Sequence, residues 1–257
     1  MRYWLTFMLL GWLAAASVAA QETPDYTLRR IRVPILMYHY VSELPADADA
    51  YRVDLTIRPS TFQAHLDYLR AEGYTTVSLY DLDRALVNGA PLPAKPVILT
   101  FDDGYREHYD FVFPRLRDYG MTGTFFIITD PVESGNPRYV TWGQLQEMAA
   151  AGMSIEPHTK THLDLRNRDY DFLVWEVLGS LQTLQGQLNV PAAMFAYPAG
   201  RYDDFTLQIL DTMPIQRAVT TQHGVTHTTD NGLELTRLRV NGDLGVSGLV
   251  YLLNSAG

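Results

Sequence analysis

The chain has 257 residues, of which 47% are hydrophobic and 19% charged; this is globular composition and excludes a disordered or fibrous protein. It contains no cysteine, so disulfides, thiolate metal sites, a cysteine nucleophile and a lipid anchor on an N-terminal cysteine are excluded as well. The formal charge of −9 offers no electrostatic footprint for nucleic acid and little attraction to anionic membranes or acidic polymers.

Residues 1–20 read MRYWLTFMLLGWLAAASVAA. Arg2 stands near the start, an apolar stretch follows, and small residues close it, which is the pattern of a secretory signal peptide. Cleavage is expected after Ala19 or Ala20, leaving a mature domain over 21–257 with a side-chain charge of −10 once Arg2 is removed. The apolar stretch is short for a membrane span. The expectation is an exported protein, periplasmic or secreted, with no stable membrane insertion after cleavage.

In the mature chain, short apolar runs alternate with helical patterns. Val33–His39 reads as a buried strand, Ser60–Glu72 as a helix capped by Ser60 and stopped by Gly73, Tyr74–Val77 as a short strand and Tyr80–Val87 as a short helix. Pro96–Phe101 is a second buried strand. Glu107–Tyr119 is helical, with a kink or late start expected at Pro114. Thr122–Ile128 is a strand, Trp142–Ala151 a helix, Met153–Glu156 a strand and Arg168–Leu188 the longest helix. Ala193–Tyr197, Arg217–Thr220 and Leu235–Val240 are later strands, while Ser42–Tyr51 and Thr129–Pro137 read as surface loops. This alternation argues a parallel sheet with helices outside, and the length favours a single α/β barrel over an open sheet. No dinucleotide or P-loop fingerprint follows any strand.

Chemistry in α/β barrels sits at the C-terminal ends of the strands. Those ends carry His39, then Asp102 and Asp103, then His158 and His162, and later Ala199, Arg201, Asn241 and Asp243. Two histidines and a carboxylate make a ligand set for a borderline divalent metal. The spacing of His158 and His162 predicts a helical turn that aims both the same way. Of the two adjacent aspartates, one can bind metal and the other stay free as a base. Each element alone has an ordinary reading, as a solvated turn, a helix cap or a core histidine; Asp203-Asp204 is read as such a cap. The joint pattern favours a metal site.

These residues resemble a known family. TFDDGY at 100–105, HTKTH at 158–162 and FAYPAGRYD at 195–203 resemble the first three motifs of the polysaccharide deacetylases with a NodB-type domain, carbohydrate esterase family 4. ILMYHYV at 35–41 and RLRV at 237–240 resemble flanking strands of the branch that deacetylates exopolysaccharide such as poly-N-acetylglucosamine. The resemblance implies a distorted (β/α)7 barrel of the NodB-homology type and hydrolysis of N-acetyl groups on an acetylated polysaccharide. It also implies Asp102 as general base and Asp103, His158 and His162 as ligands of one divalent ion, with Zn²⁺ the default and Ni²⁺, Co²⁺ or Fe²⁺ as alternatives.

The chain departs from that pattern in two places. Ala196 stands where many members carry an arginine that pairs with the catalytic aspartate, and Arg201 lies five residues beyond. Ala199 replaces the motif's tyrosine and could offer only its backbone N–H to an oxyanion. The Leu-x-His motif that supplies a general acid is absent, and His39 in MYH is the candidate in its place, with His223 and His227 as rivals; His65 reads as a helix residue away from the strand ends, and His108, near the first motif, as a surface or capping residue that opens a helix. Tyr40, Tyr105, Trp142, Tyr197 and Arg201 are candidates for sugar binding. Three function classes remain: an N-deacetylase of an amino-sugar polymer, the same fold acting on peptidoglycan or an O-acetylated glycan, and a non-catalytic carbohydrate-binding protein.

Overall fold

A computed structural model describes residues 27–242 and 244–255; the expected leader and Asp243 lie outside the described residues. Seven strands form the main parallel sheet: β1 (Ile35–Tyr38), β2 (Pro96–Phe101), β3 (Thr124–Ile127), β4 (Ser154–Pro157), β5 (Met194–Ala196), β6 (Arg217–His223) and β7 (Leu235–Arg239). They run in the order β4-β3-β2-β1-β7-β6-β5, with the short strand Thr75–Thr76 added beside β2. Leu36 is paired with both Leu99 and Leu238, which places β1 in the middle of the sheet.

The sheet curls until its two edge strands, β4 and β5, face one another, so it is nearly closed as a barrel with helices around it. Side chains bridge the remaining seam. Glu156 Oε2 accepts the Met194 N–H at 2.9 Å, and His158 Nδ1 donates to the Ala196 carbonyl at 2.7 Å. Buried on both faces, the strands read as continuous apolar runs rather than alternating ones, as parallel strands under helices must. Phe101 stacks on Phe125 at 4.9 Å and on Tyr38 at 5.3 Å beneath the rim. Each such fully buried side chain contributes about 1.5–3 kcal/mol.

Several expected elements shift for physical reasons. The helix expected from Ser60 starts at Pro59, whose missing N–H costs nothing in a first turn, with Arg58 as its cap. Pro114 is accommodated by a π-helical turn, His108–Val112, that precedes the α-helix Phe113–Tyr119. The wider turn carries the Phe113 N–H back to the His108 carbonyl and relieves the clash a proline ring makes with the preceding turn. The longest helix runs as Tyr170–Leu173, a second π turn Val174–Leu178, and Gly179–Leu188.

Two segments expected to be loops contain helices. Thr129–Glu133 is one, and its first residue is buried. Ala50–Leu55 is the other, capped by Asp49, whose side chain accepts the Arg52 N–H at 2.7 Å. The latter is pinned to β7: Arg239 pairs with Asp54 at 3.1 Å and the Gly242 N–H bonds the Asp54 carbonyl at 2.7 Å. A Cβ on Gly242 would sit 2.0 Å from the Val53 carbonyl oxygen, so only glycine admits this approach. Asp203 caps the helix Asp204–Asp211. No helix among the described residues is long and apolar enough to cross a membrane.

Candidate active site

The C-terminal strand ends surround a cavity of about 240 Å³ lined by His39, Tyr51, Asp102, Asp103, His158, His162, Ala199, Arg201, Thr221 and Arg239. Four of the seven non-glycine residues with positive φ among the described residues line it or lie between its ligands: Asp103 (80°), Thr159 (65°), His162 (62°) and Ala199 (50°). Such conformations cost about 1–3 kcal/mol each and persist only where the surroundings hold them. The strain is concentrated where the chemistry-bearing groups must point.

Asp103, His158 and His162 each offer a ligand atom within 4.8 Å of the others. Asp103 Oδ1 lies 3.3 Å from His158 Nε2 and 3.4 Å from His162 Nε2. It is buried and has no hydrogen-bond partner. A buried anionic oxygen left unpaired opposite two imidazoles is costly unless a cation fills the space between them, so this donor set fits a divalent ion. His158 is prepared for that role: its Nδ1 must carry the proton it donates to Ala196, which leaves the Nε2 lone pair free. HTKTH is not a helical turn, contrary to the expectation from its spacing. His158 directly follows β4, and the left-handed residues Thr159 and His162 fold the segment into a loop.

Burial and proximity set the charges. Burial would raise the Asp103 carboxyl, but the imidazoles of His158, His39 and His162 outweigh it and hold the group well below the usual carboxylate range. Burial and the neighbouring His158 push His162 down to about 4. Burial alone would lower His158, yet the Asp103 and Asp102 carboxylates carry it above the ordinary value.

Asp102 is only 2% exposed and holds a different partner. Arg237 Nη1 and Nη2 donate to its two oxygens, both at 2.7 Å. Arg237 is itself buried; its Nε donates to the Thr220 carbonyl at 2.8 Å and its Nη1 to Thr100 Oγ1 at 3.1 Å. The β6–β7 register slips between Val219 and His223, and this irregularity frees the Thr220 carbonyl for the guanidinium. Burial would raise the Asp102 carboxyl, but the Arg237 charge and hydrogen bonds outweigh it and hold it below its ordinary value. His39 Nε2 lies 3.8 Å from Asp102 Oδ2, and burial lowers the imidazole against the pull of that carboxylate.

The comparisons with known proteins agree with this geometry. The family model described as Polysaccharide deacetylase matches residues 89–218. YxkH of Bacillus subtilis (strain 168), whose name places it among polysaccharide deacetylases, is 31% identical over 225 residues, 88% of this chain and 76% of its own. This chain belongs to the polysaccharide deacetylase family. The Escherichia coli (strain K12) poly-β-1,6-N-acetyl-D-glucosamine N-deacetylase is 29% identical over 138 residues, 48% of this deacetylase chain but only 20% of the relative. Among solved structures, the Streptococcus pyogenes deacetylase PplD in complex with acetate superposes with a TM-score of 0.82 at 34% identity, covering 88% of this chain and 100% of that one. The neighbours are NodB-type (β/α)7 barrels, as is this deacetylase.

The structure sorts the remaining sequence candidates of this deacetylase. Arg201 lines the cavity but faces Asp164 at 3.5 Å; Arg237 takes the place beside Asp102 that the third-motif arginine leaves empty. Ala199 lines the cavity on the turn Pro198–Gly200. Tyr197 does not: it is buried, and its hydroxyl donates to the Leu233 carbonyl at 3.0 Å. Trp142 opens the helix Trp142–Ala150 and packs against the hydrophobic core rather than lining the cavity. Tyr40 and Tyr105 line a neighbouring groove of about 500 Å³. Tyr40 has both faces occupied, by Tyr105 at 3.8 Å and the Arg52 guanidinium at 3.2 Å, so stacking a sugar there would require displacing one of them.

The histidines also separate. His108 is buried, not a surface cap, and its Nε2 donates to the His39 carbonyl at 2.7 Å, fixing the backbone of the candidate acid. His65 is buried between Tyr38 and the Leu244 carbonyl. His227 donates to the Val33 carbonyl at the opposite, N-terminal end of β1, and His223 is exposed and outside the cavity lining. Sequence reasoning missed two residues of note, Arg237 buried behind Asp102 and Tyr51 in the cavity lining. Arg237 had a readable signal: it alternates with Leu235 and Arg239 on one face of a buried strand, where a charge needs a partner. Tyr51 sits in the helix taken for a loop, and the Asp49 cap was its signal.

Proposed function

We propose that this protein is a metal-dependent hydrolase that removes N-acetyl groups from an acetylated amino-sugar polysaccharide outside the cytoplasm, releasing acetate. One observation carries the reading: a buried carboxylate kept ionised by Arg237 stands in the same cavity as the Asp103, His158 and His162 donor set. A divalent ion on those three donors, Zn²⁺ by default, would polarise the acetyl carbonyl and acidify an attacking water. Asp102 takes the proton of that water; its charge is already compensated by Arg237, so it needs no rearrangement to act as base. His39 delivers a proton to the departing nitrogen, since an amine leaves poorly unless protonated. Ala199 lines the cavity, and its N–H would hold the oxyanion, a contribution of about 3–4 kcal/mol per donor in comparable sites.

The relative named for poly-β-1,6-N-acetyl-D-glucosamine supports an amino-sugar polymer, and the residues 1–20 pattern supports export. The Arg237 pairing weakens the non-catalytic reading, whose only support was the missing third-motif arginine.

Acetate release from a panel of N-acetylated, O-acetylated and peptidoglycan substrates tests the activity; release from none of them refutes it. Asp102→Asn should keep its metal while kcat falls by about 10²–10⁴, whereas Asp103→Asn should lose metal. Equal metal content in the two variants would refute the division of roles. His39→Ala should lower kcat with metal content unchanged, and a near-wild-type kcat would remove His39 from the mechanism. N-terminal sequencing of protein from the cell envelope should begin near Gln21.

A further inference from the structure

The loop from His158 to His162 holds two residues, Thr159 and His162, at φ of 65° and 62°. A β-branched residue stays in that region only when its surroundings fix it. Part of the hold is internal: Thr159 Oγ1 accepts the His162 N–H at 2.9 Å. Part comes from the helix Thr129–Glu133. The N–H groups of Thr129 and Asp130 donate to the Thr159 and Lys160 carbonyls at 3.2 and 2.9 Å, and Lys160 Nζ pairs with Glu133 at 2.7 Å.

The third hold is Glu176. It is fully buried in the π turn Val174–Leu178, on a helix whose other inward residues include Leu173, Val177 and Leu181. Its Oε2 lies 3.0 Å from the N–H groups of both Lys160 and Thr161, and its Oε1 accepts the Thr161 hydroxyl. A carboxylate among apolar side chains is costly unless donors meet it, and these three donors all belong to the two residues immediately before His162. The π turn shifts the side chain out of ordinary helical register, as such turns often do near functional sites.

We infer that Glu176 is a positioning residue: its carboxylate fixes Lys160 and Thr161, and through them the aim of His158 and His162 at a shared ion. This rests on the metal site proposed above. The geometry makes reach, not charge, the operative property. Glutamine at this position can accept both N–H groups with its oxygen and donate its amide to Thr161 Oγ1. Aspartate keeps the charge but is one methylene too short.

The test compares Glu176→Gln with Glu176→Asp in the full-length protein. Zn²⁺ affinity is measured by chelator competition, the ligand geometry by the visible d–d bands of the Co²⁺-loaded protein, and folding by thermal unfolding of the metal-free form. Glu176→Asp should weaken Zn²⁺ binding by about 10- to 100-fold, the range for losing a group that orients a metal ligand, and change the cobalt bands. Glu176→Gln should leave both near wild type. Glutamine as weak as aspartate, or aspartate with wild-type affinity and bands, overturns the inference. Should Glu176→Asp fail to fold, Thr161→Val, which removes only the hydroxyl donor, must still alter the cobalt bands; unchanged bands overturn the inference. Absence of divalent binding in the wild type would instead sink the metal site itself. Wild-type binding that His158→Ala abolishes and Glu176→Asp leaves untouched would sink the role of Glu176 alone.

Discussion

Asp102 on β2's end and Glu156 on the seam between β4 and β5 are both carboxylates with almost no solvent exposure, yet they are pushed in opposite directions. Asp102 meets a guanidinium that donates to both of its oxygens, and it stays ionised below its ordinary range. Glu156 meets only neutral donors: Ser154 Oγ at 2.7 Å, the Met194 N–H at 2.9 Å, the Tyr80 hydroxyl and the Ala193 N–H. Those donors do not offset its burial, and its carboxyl rises to about 7. Equal burial therefore does not decide the state of a carboxyl; a full positive charge in bidentate contact does. Under the proposed mechanism the first group accepts a proton from water, whereas the second joins two strands that share no backbone ladder.

Removing the charge should break the contrast. Arg237→Met leaves Asp102 buried and uncompensated, and loss of one partner of such a pair costs about 3–5 kcal/mol. Denaturant unfolding of the variant should show that loss, and acetate release should fall with it because Asp102 then resists ionisation. Unchanged stability and activity would mean that the guanidinium does not set the state of Asp102.

Glu156 offers the opposite experiment. Its folded value of about 7 lies above the ordinary 4.5, so between those values the folded protein binds the proton more tightly than the unfolded chain. Stability should therefore fall as pH rises from about 4.5 to 7 and level off above, by an amount on the order of 3 kcal/mol. Glu156→Gln should abolish that slope in denaturant unfolding. A slope that survives the substitution would place its origin elsewhere.

The same contrast separates what sequence could and could not reveal. The apolar run Pro96–Phe101 and the doublet behind it were legible because strand, bounds and chemistry are all local. The metal donors were legible as residue types after strands, but not their loop: spacing of four suggests a helix, and only the left-handed Thr159 and His162 show otherwise. Arg237 and Asp102 are 135 residues apart, and their pairing depends on β7 lying next to β1. The helix Ala50–Leu55 lacks an apolar stripe and is held by Asp54, so periodicity could not find it. Contacts that cross the barrel are set by topology, and a linear pattern carries little of that.

The smallest expected effect comes from one hydroxyl at the seam. Tyr80 accepts the Ala193 N–H at 2.9 Å and donates to Glu156, so it serves both edge strands. Tyr80→Phe removes the hydroxyl that accepts the Ala193 N–H and leaves that group only the Glu156 carboxyl, which costs about 1–2 kcal/mol. It also withdraws a donor that favours the Glu156 carboxylate, so the folded Glu156 value should climb further above 7. A higher folded value extends the downward slope to more alkaline pH. The variant should thus lose about 1–2 kcal/mol at pH 5, where Glu156 is protonated when folded, and more at pH 8, where the wild type has ionised it. In a Glu156→Gln background the loss should become equal at the two pH values. Denaturant unfolding of the four proteins at both pH values decides it: a loss that grows with pH in the Gln background would show that the hydroxyl does not act through Glu156.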